Sequence, residues 1–118
     1  MTNQWDTFAS VYDQGIGDSG DKLHTSLIDP LIFKYLGNYD KRTILDAGTG
    51  NGYLLKKLST RATKVIGIDS SGEMLAKARV RLASITNIEL LQHDLLNVLP
   101  FKPNSFDIVI ANMVLQYL

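Results

Sequence analysis

Three aspartates stand out by type and spacing. Asp46, Asp69 and Asp94 each lie at or just beyond the end of a short apolar run (ILDA, KVIGID and IELLQHD). Asp46 is followed by Gly48, Gly50 and Gly52 at alternate positions. Alternate glycines let a ligand lie against bare backbone, because no Cβ stands in the way. A carboxylate just before them opposes a pyrophosphate and suits a ligand with a cationic centre and an amino group. Asp69 stands about twenty residues beyond Gly48, the separation at which dinucleotide-binding folds place a carboxylate on ribose hydroxyls. Each charge-assisted bond of that kind contributes roughly 1.5–3 kcal/mol when shielded.

These acids need elements to position them. Ile44–Ala47 reads as a buried strand, and residues from about 51 to 60 as a helix packed through Leu54, Leu55 and Leu58. Lys64–Ile68 is a second strand. Ser70 and Glu73 then have capping-box spacing, which predicts a helix with Met74, Leu75, Ala78 and Leu82 inward and Lys77, Arg79 and Arg81 toward solvent. Ile88–Leu91 is a third strand. A loop over 97–105 with Pro100 and Pro103 precedes a fourth, Phe106–Ala111, whose Asp107 reads as a structural strand-start residue. The chain continues into Asn112 and a helix start at Met113–Leu118. The order βαβαββ predicts an α/β fold, a Rossmann-like parallel sheet with right-handed crossovers and helices on its flanks. Strand ends in such a sheet share one edge, so all three acids can face one crevice.

Before this core, Trp5, Phe8, Ala9 and Tyr12 fall on one helical face, with Asn3 as cap and Asp6 in the first turn. Such a helix either docks on the core by its aromatics or lies over the ligand site as a lid. Gln14–Gly20 reads as a glycine-rich loop, a hinge or a linker. Asp21 caps a helix over Lys22–Ile28. Asp29 and Pro30 read as N-cap and first residue of another, with Leu31, Ile32, Tyr35 and Leu36 inward and Gly37 at its end. Residues 1–37 thus form a helical lid region and 38–118 the core.

The length of 118 residues suits one domain. Net charge is zero and no Lys/Arg block occurs, so tight binding to a phosphate backbone is not expected, nor a nucleic-acid partner. Without cysteine there is no disulfide framework or thiolate metal site, and two distant histidines predict no metal. No run has transmembrane length, and the N-terminus lacks the basic flank and apolar stretch of a signal peptide. The expected compartment is the cytoplasm.

The glycine turn leaves two ligands open. A nicotinamide or flavin dinucleotide wants G-x-G-x-x-G, but Tyr53 holds the third glycine's place. D-x-G-x-G-x-G over Asp46–Gly52 resembles motif I of the class I S-adenosylmethionine (SAM) dependent methyltransferases. IDSSGEMLAKAR and LPFKPNSFDIVIANMVLQYL resemble that family's stretches after the second strand and through the fourth. WDTFASVYD resembles the N-terminal segment of its members that act on small molecules. The resemblance covers almost the whole chain and implies SAM as cofactor. It implies that Tyr12 approaches the cofactor, that Asp94 accepts the adenine amino group and that the Leu95 backbone N–H meets a ring nitrogen. Met74 packs near the adenosine. Ser70 beside Asp69, and Asn112 beyond the fourth strand, complete the implied contacts. Thr49, where family members often carry cysteine, can add a hydroxyl contact.

The implied reaction is in-line transfer of the sulfonium methyl to an unidentified, small-molecule acceptor, in which positioning supplies much of the acceleration. A general base is needed only if the acceptor must lose a proton. Tyr12, His24, Asn112 and Tyr117 are polar candidates; none has a spacing partner that marks it as a base, so no catalytic residue is assigned. His24 reads as a surface or interhelix residue, and the His93 side chain as turned the other way along its strand. Two alternatives stand beside this reading: a non-catalytic SAM-binding or assembly module, and a nicotinamide-dependent oxidoreductase opposed by Tyr53 and Asp46. The family's sheet has seven strands, ordered third, second, first, fourth, fifth, seventh, sixth. The chain therefore reads as the N-terminal cofactor-binding part of a longer protein, a truncated product, or a protomer whose open fourth-strand edge is covered in a homo-oligomer.

Overall fold

The computed structural model describes residues 4–17 and 20–112. Four strands form one sheet: β1 (Thr43–Ala47), β2 (Lys64–Asp69), β3 (Ile88–Gln92) and β4 (Ile108–Ile110). All pairings are parallel and the order is β3-β2-β1-β4, as the resemblance implied. Strand β1 is central. Its Leu45 stands opposite Ile66 of β2 and Val109 of β4. Such burial on both faces is why ILDA and KVIGI read as apolar runs rather than alternating ones.

The helix α3 (Tyr53–Ser59) follows β1, and α4 (Gly72–Arg81) follows β2. Leu54, Leu55 and Leu58 of α3 join Ala78, Leu82, Ile44 and Val65 in one core cluster. On the other face of the sheet Leu45, Ala47, Ile66 and Ile68 pack with Leu95, Phe101 and Phe106. Burying a side chain of this size stabilises the fold by about 1.5–3 kcal/mol. Strand β4 is shorter than the sequence suggested. Phe106 stacks edge-on against Phe101, with ring centres 4.9 Å apart. Asp107 begins the ladder as expected: its N–H donates to the Thr43 carbonyl (2.9 Å) and its Oδ2 accepts from the Thr43 N–H (2.8 Å).

The N-terminal helices depart further from expectation. Helix α1 (Gln4–Ile16) runs through the supposed loop at Gln14–Ile16. Glycine at 15 weakens a helix by about 1 kcal/mol, but burial of Ile16, one turn beyond Tyr12, offsets it. The inward face is Trp5, Ala9, Tyr12 and Ile16, whereas Phe8 is exposed. Asp21 does cap the next helix, its Oδ1 accepting from the His24 N–H at 2.9 Å. That helix does not stop at Asp29. A π-helical turn (His24–Ile28) leads directly into α2 (Asp29–Leu36), and Asp29 has helical angles instead of those of an N-cap. Pro30 lacks an N–H and crowds the carbonyl one turn before it; the wider π turn accommodates it. The turn also shifts the helical phase, so Ile32, Phe33 and Leu36 pack inward while Leu31 and Tyr35 are exposed.

At α4 the cap is Ser71, not Ser70. Ser71 has extended angles and its Oγ accepts from the Met74 N–H at 3.1 Å. Arg81 does not point to solvent; its Nε donates to Asp13 Oδ1 of α1 at 2.7 Å. Asn3, Tyr117 and the expected helix at 113–118 lie outside the described residues.

Candidate functional site

The turn after β1 is built by residues that hold one another. Gly48 and Thr49 both donate their N–H groups to the Ile68 carbonyl, at 2.8 and 2.9 Å. Thr49 then folds back, and its Oγ1 donates to Asp46 Oδ2 at 2.9 Å. The space for this is made by Gly67, which pairs with Asp46 across the sheet. A Cβ at Gly67 would come within 2.6 Å of Leu55 Cδ1 and 2.8 Å of Thr49 Oγ1. Gly52 is in the left-handed region (φ +80°), and a Cβ there would meet Leu82 Cδ1 at 2.7 Å, so it sets the close approach of α4. Gly50 is also left-handed (φ +59°) and lies under the Tyr12 ring, whose Cε1 would be 3.5 Å from a Cβ.

Asp46 is buried, and this burial pushes its carboxyl up to about 7 despite the Thr49 bond; the Asp69 charge adds to the rise. Asp69 is also raised by burial. Three backbone donors pull against that: Gly50 N–H to Oδ2 and Ser71 N–H to Oδ1, both at 2.9 Å, and the Ser70 N–H. One carboxylate thus ties the glycine turn to the start of α4. Asp94 is exposed, its Oδ1 accepting from the Leu96 N–H at 2.9 Å. That loop turn leaves its other oxygen for a ligand.

Helix α1 lies against α4 and is fixed at both ends by carboxylates. Asp6 Oδ1 accepts from Ser71 Oγ (2.6 Å) and the Glu73 N–H (3.1 Å), at the positive end of α4. Asp13 accepts from Arg81, and from Asn51 Nδ2 at 2.9 Å; the Arg81 bond holds its carboxyl below the usual range. Trp5 and Tyr12 meet edge-on at 5.9 Å between ring centres.

A cavity of about 340 Å³ lies between α1 and the carboxyl ends of the strands. Tyr12, Asp46, Gly48, Thr49, Gly50 and Asp69 line it, as do Ser70, Met74, Asp94, Leu95 and Asn112. Every residue singled out for a cofactor contact therefore faces one space. Within it the Thr49 hydroxyl proton is directed to Asp46. The volume is at the lower end of the usual range for small-molecule sites. Buried carboxylates at one end and an exposed one at the other suit a ligand with a cationic head and a polar, hydrogen-bonding tail.

Sequence reasoning left out part of the wall. Gln4, Trp5, Tyr53, Leu54 and Leu96 also line the cavity, together with His24, one of the polar candidates for the acceptor site. His24 is buried against Tyr53 of α3, which leaves the interhelix reading and removes the surface one, and its Nδ1 lies 2.7 Å from Asp21 Oδ1. Asp21 stands three residues before His24, a spacing that only the fold turns into a pair. Tyr53, which stands in a dinucleotide fold's third glycine place, donates its hydroxyl to Asp29 Oδ1 at 3.1 Å, and Lys57 Nζ donates to Asp29 Oδ2 at 2.6 Å. His93 does not line the cavity, and its Nε2 is buried with no partner among the described residues.

A family model described as "Methyltransferase domain" matches residues 44–118. The chain belongs to this family, the class I SAM-dependent methyltransferases. The family's cofactor is SAM, which sets the nicotinamide reading aside. A malonyl-[acyl-carrier protein] O-methyltransferase of Halalkalibacterium halodurans is 30% identical over 93% of this chain and 42% of its own length. A ribosomal RNA small subunit methyltransferase A of Koribacter versatilis is 30% identical over 57% of this chain and 24% of its own. Among solved structures, a DhpI–SAM–HEP complex superposes with a TM-score of 0.70 at 27% identity, over 91% of this chain and 46% of that one. The chain thus spans less than half the length of these relatives. No helix among the described residues is long and apolar enough to cross a membrane.

Proposed function

We propose that the cavity binds SAM and that the protein transfers its methyl group to a small-molecule acceptor in the cytoplasm. One observation carries this reading: eleven residues chosen for cofactor contacts, drawn from separate segments of the chain, line a single cavity. The residues fit the group. Buried Asp46, whose charge is costly without a cation, would hold the amino end beside Gly48 and Gly50. Asp69 would accept the ribose hydroxyls with Ser70 beside it. Asp94, the Leu95 N–H and Met74 would frame the adenine. Thr49 and Asn112 would complete the wall, with Tyr12 above Gly50.

The bound cofactor supplies a sulfonium methyl on a good leaving group. The chain's own part is to bind, orient and exclude water, which are positioning effects. Residues 1–37 act as the lid region in this reading and 38–118 as the core. The small-molecule acceptor is favoured by the roof of Gln4, Trp5 and Tyr12 over the cavity.

Calorimetric titration with S-adenosylhomocysteine tests the cofactor site, with NAD as control. Micromolar binding, about −8 kcal/mol, is expected for the homocysteine product and none for NAD. Asp69→Ala should weaken it tenfold or more, about 1.4 kcal/mol. Folded protein that binds no S-adenosylhomocysteine would overturn the reading. Methyl-labelled SAM offered with a metabolite extract or with ribosomal RNA separates the acceptors; label in the RNA would refute the small-molecule part.

A further inference from the structure

We propose that His24 is the general base that takes the proton of the methyl acceptor, and that Asp21 is its positioning residue. This rests on the SAM reading of the cavity. Sequence spacing gave no candidate base a partner, whereas the fold supplies one. Asp21 Oδ1 accepts from the His24 backbone N–H at 2.9 Å and lies 2.7 Å from its Nδ1. The same oxygen thus starts the helix and holds the imidazole.

Two further contacts fix the ring. Tyr53 meets it edge-on, with centres 5.2 Å apart at 78°, and is itself anchored by its hydroxyl on Asp29. Gly20 (φ +93°) closes the third side; a Cβ there would be 3.1 Å from His24 Cβ and 3.2 Å from Tyr53 Cε2. His24 is 8% exposed, yet it lines the cavity together with Tyr12, Asp46 and Gly50. A carboxylate on Nδ1 selects the tautomer with its proton there, so Nε2 is left with a bare lone pair. An Asp–His pair in which the acid sets the tautomer and stabilises the imidazolium is the arrangement of a general base.

The acceptor is then of a definite class: a hydroxyl or N–H nucleophile that must give up a proton, not a carboxylate already ionised. For a hydroxyl acceptor, oxygen forms the new O–CH3 bond, the C–S electron pair returns to sulfur as a neutral thioether, and the hydroxyl proton goes to His24 Nε2. The imidazolium formed is neutralised by Asp21, and the proton then passes to water.

The test is nitrogen NMR of histidine-labelled protein saturated with S-adenosylhomocysteine, under conditions where the rings are neutral. His93→Asn assigns the two signals. The expected His24 spectrum shows a protonated Nδ1 and a bare Nε2. Asp21→Ser keeps a helix cap but is too short to hold the ring, and should shift the population toward the other tautomer; Asp21→Asn should fall between. Carbethoxylation by diethyl pyrocarbonate, read by mass spectrometry on the same complex, should be at least tenfold faster at His24 than at half-buried His93, whose Nε2 is enclosed. A wild-type His24 protonated on Nε2, a tautomer indifferent to Asp21→Ser, or a His24 no more reactive than His93 would each overturn the base role. If S-adenosylhomocysteine fails to bind folded protein, the cofactor reading falls and the base role with it. If it binds and the tautomer is wrong, the base role alone falls.

Discussion

Replacing Asp46 with asparagine should make the unliganded protein more stable at neutral and alkaline pH. The carboxylate is buried, its one hydrogen bond among the described residues comes from Thr49 Oγ1, and Asp69 adds a like charge. Its carboxyl stands at about 7 in the fold against an ordinary 3.8. A raised acid binds its proton more tightly in the folded state than in the unfolded one. Stability is therefore greatest below the unfolded value, declines as pH rises toward 7, and stays low above it. A shift of about three units corresponds to roughly 4 kcal/mol between those limits. That is a large share of the roughly 5–15 kcal/mol that holds a domain together. Asparagine keeps an acceptor for the Thr49 hydroxyl and carries no charge.

Urea unfolding of both proteins, at steps from about pH 5 to pH 8, measures the difference directly. The Asp46→Asn midpoints should fall less with pH, keeping only the part that the raised Asp69 carboxyl contributes. The wild-type midpoints should fall, leaving the variant ahead by roughly 2–4 kcal/mol at the alkaline end. The same substitution should weaken S-adenosylhomocysteine, because the charge that is costly in the empty cavity is the one that meets the ligand's amino group. Parallel curves for the two proteins, or a wild type more stable at about pH 8, would refute the reasoning.

Other consequences follow from the same contacts. Gly67→Ala drives a Cβ into Leu55 and Thr49 and should cost about 1–3 kcal/mol of stability by chemical unfolding. Asp13→Asn removes the charge that pairs with Arg81 at 2.7 Å, and should cost about 1–3 kcal/mol at neutral pH. Because the Asp13 carboxyl is lowered in the fold, that contribution is present above its unfolded value and is lost as pH falls through the folded one. The wild-type advantage over Asp13→Asn should thus vanish in acid, as thermal midpoints would record. Ser71→Ala deletes both the α4 cap and the Asp6 contact; an expected loss of about 1–2 kcal/mol is checked by the same method.

The sheet was legible in the sequence because each strand is a compact apolar run that ends at an acid or a turn, with a helical repeat between the first three. Registers of that kind depend on burial, and burial writes itself into residue type. What stayed hidden depends on single hydrogen bonds. Ser70 and Ser71 are equally good caps; the choice falls to Ser71 because its N–H reaches Asp69 and its hydroxyl reaches Asp6, on a helix far off in sequence. Asp29-Pro30 carries the usual mark of a helix start, but Asp29 is held inside by Tyr53 and Lys57, and the π turn lets the helix pass. Gly67 looks like one more small residue in a strand until Thr49 is seen to occupy its side-chain space. The strand-end acids were found because their spacing reports the topology. The Asp21–His24 pair was missed because its significance depends on a cavity assembled from distant segments.

The buried polar residues show how the N-terminal layer is attached. Among the described residues they are His24, Asp29, Asp46, Thr49, Asn51 and Ser71. Asn51 reaches Asp13 and Gly17, Ser71 reaches Asp6, and Asp29 reaches Tyr53 and Lys57. Each of these bonds joins the helices before β1 to the first two crossover segments. The sheet is held by apolar clusters; the helices above the cavity join them through Ile16, Ile32, Phe33 and Leu36 and are fixed further by polar bonds whose geometry is exacting. A typical hydrogen bond contributes only about 0.5–1.5 kcal/mol net, because water replaces the partner once the contact opens. An apolar seam of similar extent would resist opening more strongly and would specify less closely where the helix returns. A roof fastened by carboxylates is therefore set in one register, with Tyr12 over Gly50.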